Sequence, residues 1–160
     1  NDARRQRQMC IRDSFMSLFM TGKMDVTMAI NGAIAGLVSI TADPLSPAGG
    51  TAVIVGAIGG AIVYFSIVFL EKAGVDDPVG AISAHGTVGI YGVLVVALTG
   101  GASFIGQLTG VVMIAVFTYL ASLGTIYLIN TVMPIRASDA EQEAGLDISE
   151  VGIEAYPEFK

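Results

Sequence analysis

His85 is the only histidine in the chain, and between residues 78 and 135 it is the only side chain able to change charge near neutral pH. A neutral imidazole offers one donor and one acceptor. Such a group could hold a small neutral polar molecule by hydrogen bonds. Metal chemistry fits poorly, because no second His or Cys lies nearby and the surrounding stretch has no carboxylate. Ser83 lies two residues away, which in an α-helix is another face. No nucleophile–base set or phosphate-binding loop points to an enzyme, and no cofactor is expected. The single cysteine, Cys10, excludes an intramolecular disulfide framework and a cysteine-based zinc site.

The elements that must position His85 follow from where charge is absent. Residues 26–42, 44–70 and 78–135 carry none, and the last run is 58 residues long. A transmembrane helix needs about 20 apolar residues, so that run holds two spans and a connection. The chain is 14% charged, with a mean hydropathy of +0.70; soluble domains are about a quarter charged. A soluble globule is excluded, and the hydrophobicity excludes disorder. A net charge of −6 excludes a basic nucleic-acid surface. The expected fold is all-α: a polytopic transmembrane helix bundle with spans near 26–42, 51–70, 78–99 and 107–133. The first is short, at about the lower limit for a span. Residues 14–20 look like the last turns of a further helix.

Asp77 suits an N-cap and Pro78 the first helical position, where its missing N–H costs nothing. From Pro78, His85 lies about 10 Å along the helix, roughly a third of a 30 Å hydrocarbon core. Ionisable groups at that depth are costly and mark pathways. An α-helix places Ala81, Ile82, Val88, Gly89 and Gly92 on the same face, all small or apolar. A purely structural histidine, tied to a neighbouring helix, is the other reading.

Topology comes from the connections. Lys23, Lys72 and Arg136 lie in three of them, each separated from the next by two spans; the loops near 43–50 and 100–106 have no Lys or Arg. The positive-inside rule makes the basic side cytoplasmic. Residues 136–160 form an acidic tail on that side, carrying seven Asp or Glu against Arg136 and Lys160. Glycine pairs at 32/36, 56/60 and 106/110 have the small-xxx-small spacing that lets membrane helices approach closely. At the other end, RRQRQMCIRDS resembles translated sequencing-library adapter, so residues 1–13 are set aside from fold reasoning as non-native. A basic cap beside a membrane helix is the alternative.

Three stretches carry a family resemblance. DDPVGAISAHGTVGIYG (76–92) resembles the signature around the second pore histidine of the Amt/Mep/Rh ammonium transporter family. NGAIAGLVSITADPLSP (31–47) is similar to the preceding helix and outer loop of bacterial Amt proteins. GLDISEVGIEAYPEF (145–159) is similar to their cytoplasmic C-terminal segment. The resemblance implies that the spans correspond to helices 8, 9, 10 and 11 of an eleven-helix fold, with 14–20 ending helix 7. The partner histidine and the outer gate then belong to the missing part, and these residues alone form no complete pore.

On that resemblance, His85 is the helix-10 pore histidine, which hydrogen-bonds neutral ammonia and can relay its proton. Asn31 and Thr41 align with polar positions near the pore, and Ile30 and Ile34 with its apolar lining. Gly145, Leu146, Asp147, Tyr156 and Pro157 match the regulatory tail, whose first three residues dock against neighbouring subunits. Gly80 stands where some members have a third aspartate. Also implied are ammonium or ammonia as substrate, a homotrimer in the plasma (inner) membrane, and a PII-type signal protein at the cytoplasmic face. Carbon dioxide or another small neutral gas is an alternative substrate by analogy with Rh proteins. An Amt-like sensor signalling through the tail is the alternative function; a tail ending at Lys160 without an appended signalling domain favours transport.

Overall fold

A computed structural model describes residues 22, 26–45, 48–133 and 135–153. The segments 1–13 and 14–20, Lys23, Tyr156 and Pro157 lie outside the described residues. Those described form helices and connections, without a strand. In order they are α1 (Val26–Val38), α2 (Gly49–Lys72), a π-helical turn (Ile82–Thr87) that runs directly into α3 (Val88–Thr99), α4 (Phe104–Val132) and the short α5 (Asp139–Ala144). A second π turn, Asp147–Val151, follows. Three stretches are long and apolar enough to cross a membrane: Gly49–Lys72, Ile82–Thr99 and Phe104–Val132.

Two helix ends differ from the sequence expectation, for local reasons. The α-helical part of the first span stops at Val38, not at residue 42. Ser39 donates its hydroxyl to the Ala35 carbonyl at 2.8 Å, and Thr41 donates to Val38 at 2.8 Å. Hydroxyls that bond back along a helix compete with its backbone ladder. The amides of Ile40 and Thr41 then bond only three residues back, to Leu37 and Val38. At 13 residues, α1 is about 20 Å long, short of a hydrocarbon core of about 30 Å. The third span regularises at Ile82, not at Pro78. Pro78 and Val79 form a turn, and Gly80 adopts φ +70°, which breaks a right-handed helix.

The chain divides into two units at Met113/Ile114. In the first, contacts at successive levels fix the directions of the helices. Asn31 on α1 meets Gly80, and Val38 and Ser39 meet Gly92. Thus α1 and α3 run parallel. Ser66 of α2 meets Ser83, and Val55 meets Tyr91. Thus α2 runs antiparallel to α3. Ala35, Val63, Ile67, Ala84 and Val88 form the core, with Met28, Ile34, Val38, Ile62 and Tyr91 packed against it.

Small residues make this closeness possible. Gly32 and Gly36 are buried on α1, and Gly56 and Gly60 on α2. Gly59 is tighter still: a Cβ there would collide with the Ser39 hydroxyl. A Cβ on Gly92 would come within 3.0 Å of the Ser39 carbonyl oxygen. The 106/110 pair behaves differently, since a Cβ at Gly110 would meet nothing within 4 Å. None of the 29 residues of α4 is buried.

In the second unit, Ser138 caps α5 through a reciprocal pair of contacts. Its hydroxyl accepts from the Glu141 amide at 3.4 Å, and its own amide donates to the Glu141 carboxylate at 2.8 Å. The Ser138 hydroxyl, then the Ser138 amide, hold the Glu141 carboxyl below its ordinary pKa. Gly145, at φ +93°, closes the helix and donates its amide to the Glu141 carbonyl at 2.9 Å.

Candidate functional site

Asp77 sets the geometry of the site from outside the span. Its carboxylate accepts hydrogen bonds from the amides of Ile82 at 3.0 Å and Ser83 at 3.1 Å. These are donors a helix start leaves unpaired. Burial raises the Asp77 pKa, but the bonds from Ile82, Ser83 and Ala81 outweigh it and hold the carboxyl below its ordinary value. The capping role read from sequence is therefore filled at a longer reach, across the turn made by Pro78, Val79 and Gly80.

His85 lies within the π turn that this cap initiates. The Val88 amide donates to the Ser83 carbonyl five residues back, the bond that defines the wider turn. Short π segments inside α-helices are rare and often sit at functional sites. The turn changes which residues share the histidine's face. The α-helical expectation grouped Val88 and Gly92 with His85. Val88 instead is 0% exposed in the core, and Gly92 is buried against α1. The residues exposed along with His85 are Ala81, Ile82, Gly86 and Ile90. Their recurrence at four to five positions is the period of the wider turn, where a spacing of 3.6 gave a different set. The imidazole makes no side-chain hydrogen bond to another described residue.

The other residues singled out from sequence fall at different distances from this turn. Asn31 is buried, at 6% exposure, and its side-chain amide lies over Gly80, where a Cβ would meet Nδ2 at 2.8 Å. It therefore abuts the start of the histidine turn. Ile34, one turn on, is half-buried against the core. Ile30 is 56% exposed. Thr41 is exposed, and its hydroxyl is used in closing α1. In the tail, Gly145 ends α5, Leu146 is exposed, and Asp147 opens the last π turn.

Three residues that the sequence reading did not select as site residues meet behind the histidine. Ser66 of α2 donates its hydroxyl to Ser83 at 3.1 Å and lies 2.9 Å from the Thr87 hydroxyl. The available signal was the i, i+4 pair of hydroxyls, Ser83 and Thr87, in a span otherwise almost without polar side chains. Nothing in the sequence could match that pair to Ser66, seventeen residues before Ser83.

Comparison with known proteins follows the same stretch of chain. A sequence model described as the Ammonium Transporter Family matches residues 11–156. Among curated relatives, the chain is similar to an ammonium transporter Amt2 of Archaeoglobus fulgidus, with 33% identity over 86% of this chain and 34% of the relative. It is similar to an ammonium transporter Amt2 of Methanocaldococcus jannaschii, with 35% identity over 87% of this chain and 35% of the relative. An ammonium transporter of Bacillus subtilis shows 32% identity over 80% of this chain and 36% of its own length. The chain thus spans about a third of the length of the curated relatives it matches.

Proposed function

The chain belongs to the ammonium transporter family, and we propose that it forms the C-terminal part of a pore that passes ammonia across the membrane, with His85 as a hydrogen-bonding group of that pore. The observation that carries this reading is the imidazole itself: an ionisable group in a membrane-length helix, exposed among Ala81, Ile82, Gly86 and Ile90, with its hydrogen-bonding atoms available.

The energetics favour the neutral molecule. Moving a bare cation into a low-dielectric medium costs on the order of 20 kcal/mol by the Born estimate. Deprotonating a lysine-like amine at pH 7 costs roughly 5 kcal/mol, from its distance to its pKa. An apolar pore therefore passes ammonia more readily than desolvated ammonium, and it rejects sodium and potassium, which have no proton to shed. An imidazole that can donate and accept relieves the desolvation of ammonia and offers a site for the separated proton. Asn31, Ile30 and Ile34 of α1, and Thr41 in the turn after it, belong to the same reading as contributions near the path.

The test is ammonium flux in proteoliposomes made with the full-length transporter. His85→Ala should abolish uptake or its selectivity over potassium. Wild-type uptake with unchanged selectivity would refute the role. A sensor would bind ammonium without flux, so the same assay separates the two. The rest of the reading is a plasma-membrane homotrimer with its acidic tail in the cytoplasm, where Gly145, Leu146 and Asp147 meet a neighbouring subunit and a PII-type protein can bind. Crosslinking and pull-down with the full-length protein test those contacts.

A further inference from the structure

The π turn has an inner side as well as the outer side that exposes His85. Ser83 and Thr87 flank the histidine, two residues before and two after, and both turn toward α2. Ser66 meets them there, donating to Ser83 at 3.1 Å and lying 2.9 Å from Thr87. A serine hydroxyl has one proton. With that proton given to Ser83, the Thr87 hydroxyl must be the donor to Ser66. The three hydroxyls therefore form an ordered chain, Thr87 to Ser66 to Ser83. Ser83 is 0% exposed, and its amide is bound by Asp77 at 3.1 Å. One residue thus joins the cap at the start of the turn to the hydroxyl chain along its inner side.

A π turn is less common than the α form and persists where the surroundings hold it. Relaxing it would remove one residue from the turn, rotating the side chains before it relative to those after it by about 100°. Val88 is locked in the core on the far side and Asp77 caps the near side. Any such rotation would fall on the residues between them, His85 included. Ser66 is the only described side chain outside this helix that bonds to both ends of the interval.

We infer that Ser66 is a positioning residue: by bridging Ser83 and Thr87 it holds the π turn in register and so fixes the direction in which His85 presents its imidazole. This rests on the ammonia-pore reading for its consequence in transport, but its structural part stands without it. The experiment uses the full-length transporter with Ser66→Ala, Thr87→Val as a second variant should the first fold poorly, and Ser66→Thr as the conservative replacement that keeps a hydroxyl. Carbethoxylation of His85 by diethylpyrocarbonate, followed by peptide mass, reads the imidazole's presentation whether or not the protein transports. Flux per reconstituted molecule, its pH profile and its selectivity over potassium read the consequence.

Ser66→Ala and Thr87→Val should change the carbethoxylation rate of His85. They should lower flux by up to about 100-fold, the scale on which a misplacement of about 1 Å acts, and alter its pH profile. Ser66→Thr should restore both. A merely structural role would lower thermal stability or yield and leave per-molecule selectivity and pH profile unchanged; that outcome, with unaltered His85 reactivity, overturns the inference. If the wild type carries no flux while Ser66→Ala still shifts His85 reactivity, the transport reading fails and the positioning role stands.

Discussion

Gly80 carries two constraints at once, and they come from different sources. Its φ of +70° is a backbone conformation that costs an L-residue about 1–2 kcal/mol. The Asn31 amide also occupies the space a Cβ would need, at 2.8 Å. Gly80→Ala should therefore lower the thermal stability of the detergent-solubilised transporter by more than the backbone cost alone. Pairing it with Asn31→Gly should recover the steric part, a coupling that a double-mutant cycle reads. Full additivity of the two changes would remove Asn31 from the account. The same geometry bears on an aspartate placed at this position: in this chain it would have to displace Asn31. Asp77 gives the second residue-scale prediction. Its pKa is lowered in the folded state, so the stability it contributes is present above its unfolded value of about 3.9. That contribution is lost as pH falls through the lower folded value. Asp77→Ala should cost about 1 kcal/mol at pH 7, as cap removal does, and flatten the loss of stability below pH 4. Unchanged melting across pH 3 to 7 would sink this.

Among the elements, packing at glycine separates required small residues from merely frequent ones. Gly59→Ala would drive a Cβ into the Ser39 hydroxyl, which is itself committed to the Ala35 carbonyl at 2.8 Å. The expected loss is about 1–3 kcal/mol, the usual cost of overpacking, read as a lower melting temperature. Gly50→Ala, where a Cβ meets nothing within 4 Å, is the control and should change little. The small-xxx-small spacing identified Gly32, Gly36, Gly56 and Gly60, and all four are buried. Gly59 and Gly92, which pack closely against the end of α1 and Ser39 just beyond it, follow no motif visible in the sequence. Helix termini divide in the same way. Asp77 was legible as a cap because its chemistry is local. The start at Ile82 was not, because it depends on Gly80 taking a left-handed conformation that proline and valine before it do not announce.

At the scale of the molecule, the chain that carries three membrane-length helices and the shorter α1 spans about a third of the length of the curated relatives it matches. The exposed histidine face supports the expectation that the pore needs residues beyond these. Proteoliposomes holding this chain alone should show no ammonium flux above empty vesicles, whereas the full-length transporter should; flux from the chain alone would contradict the shared-pore reading. What the sequence determined by itself was the membrane class and the family, and it singled out His85 as the one group in its span able to change charge near neutral pH. Uncharged length, turn chemistry and a rare ionisable group are properties of single segments, written locally. Only the tertiary structure decided the face on which His85 stands. One extra residue in a turn, held by Asp77 from one side and Ser66 from the other, sent Val88 and Gly92 into the core and left the imidazole outside it. Periodicity assumes a constant twist, and a hydrogen bond between two helices is enough to change it.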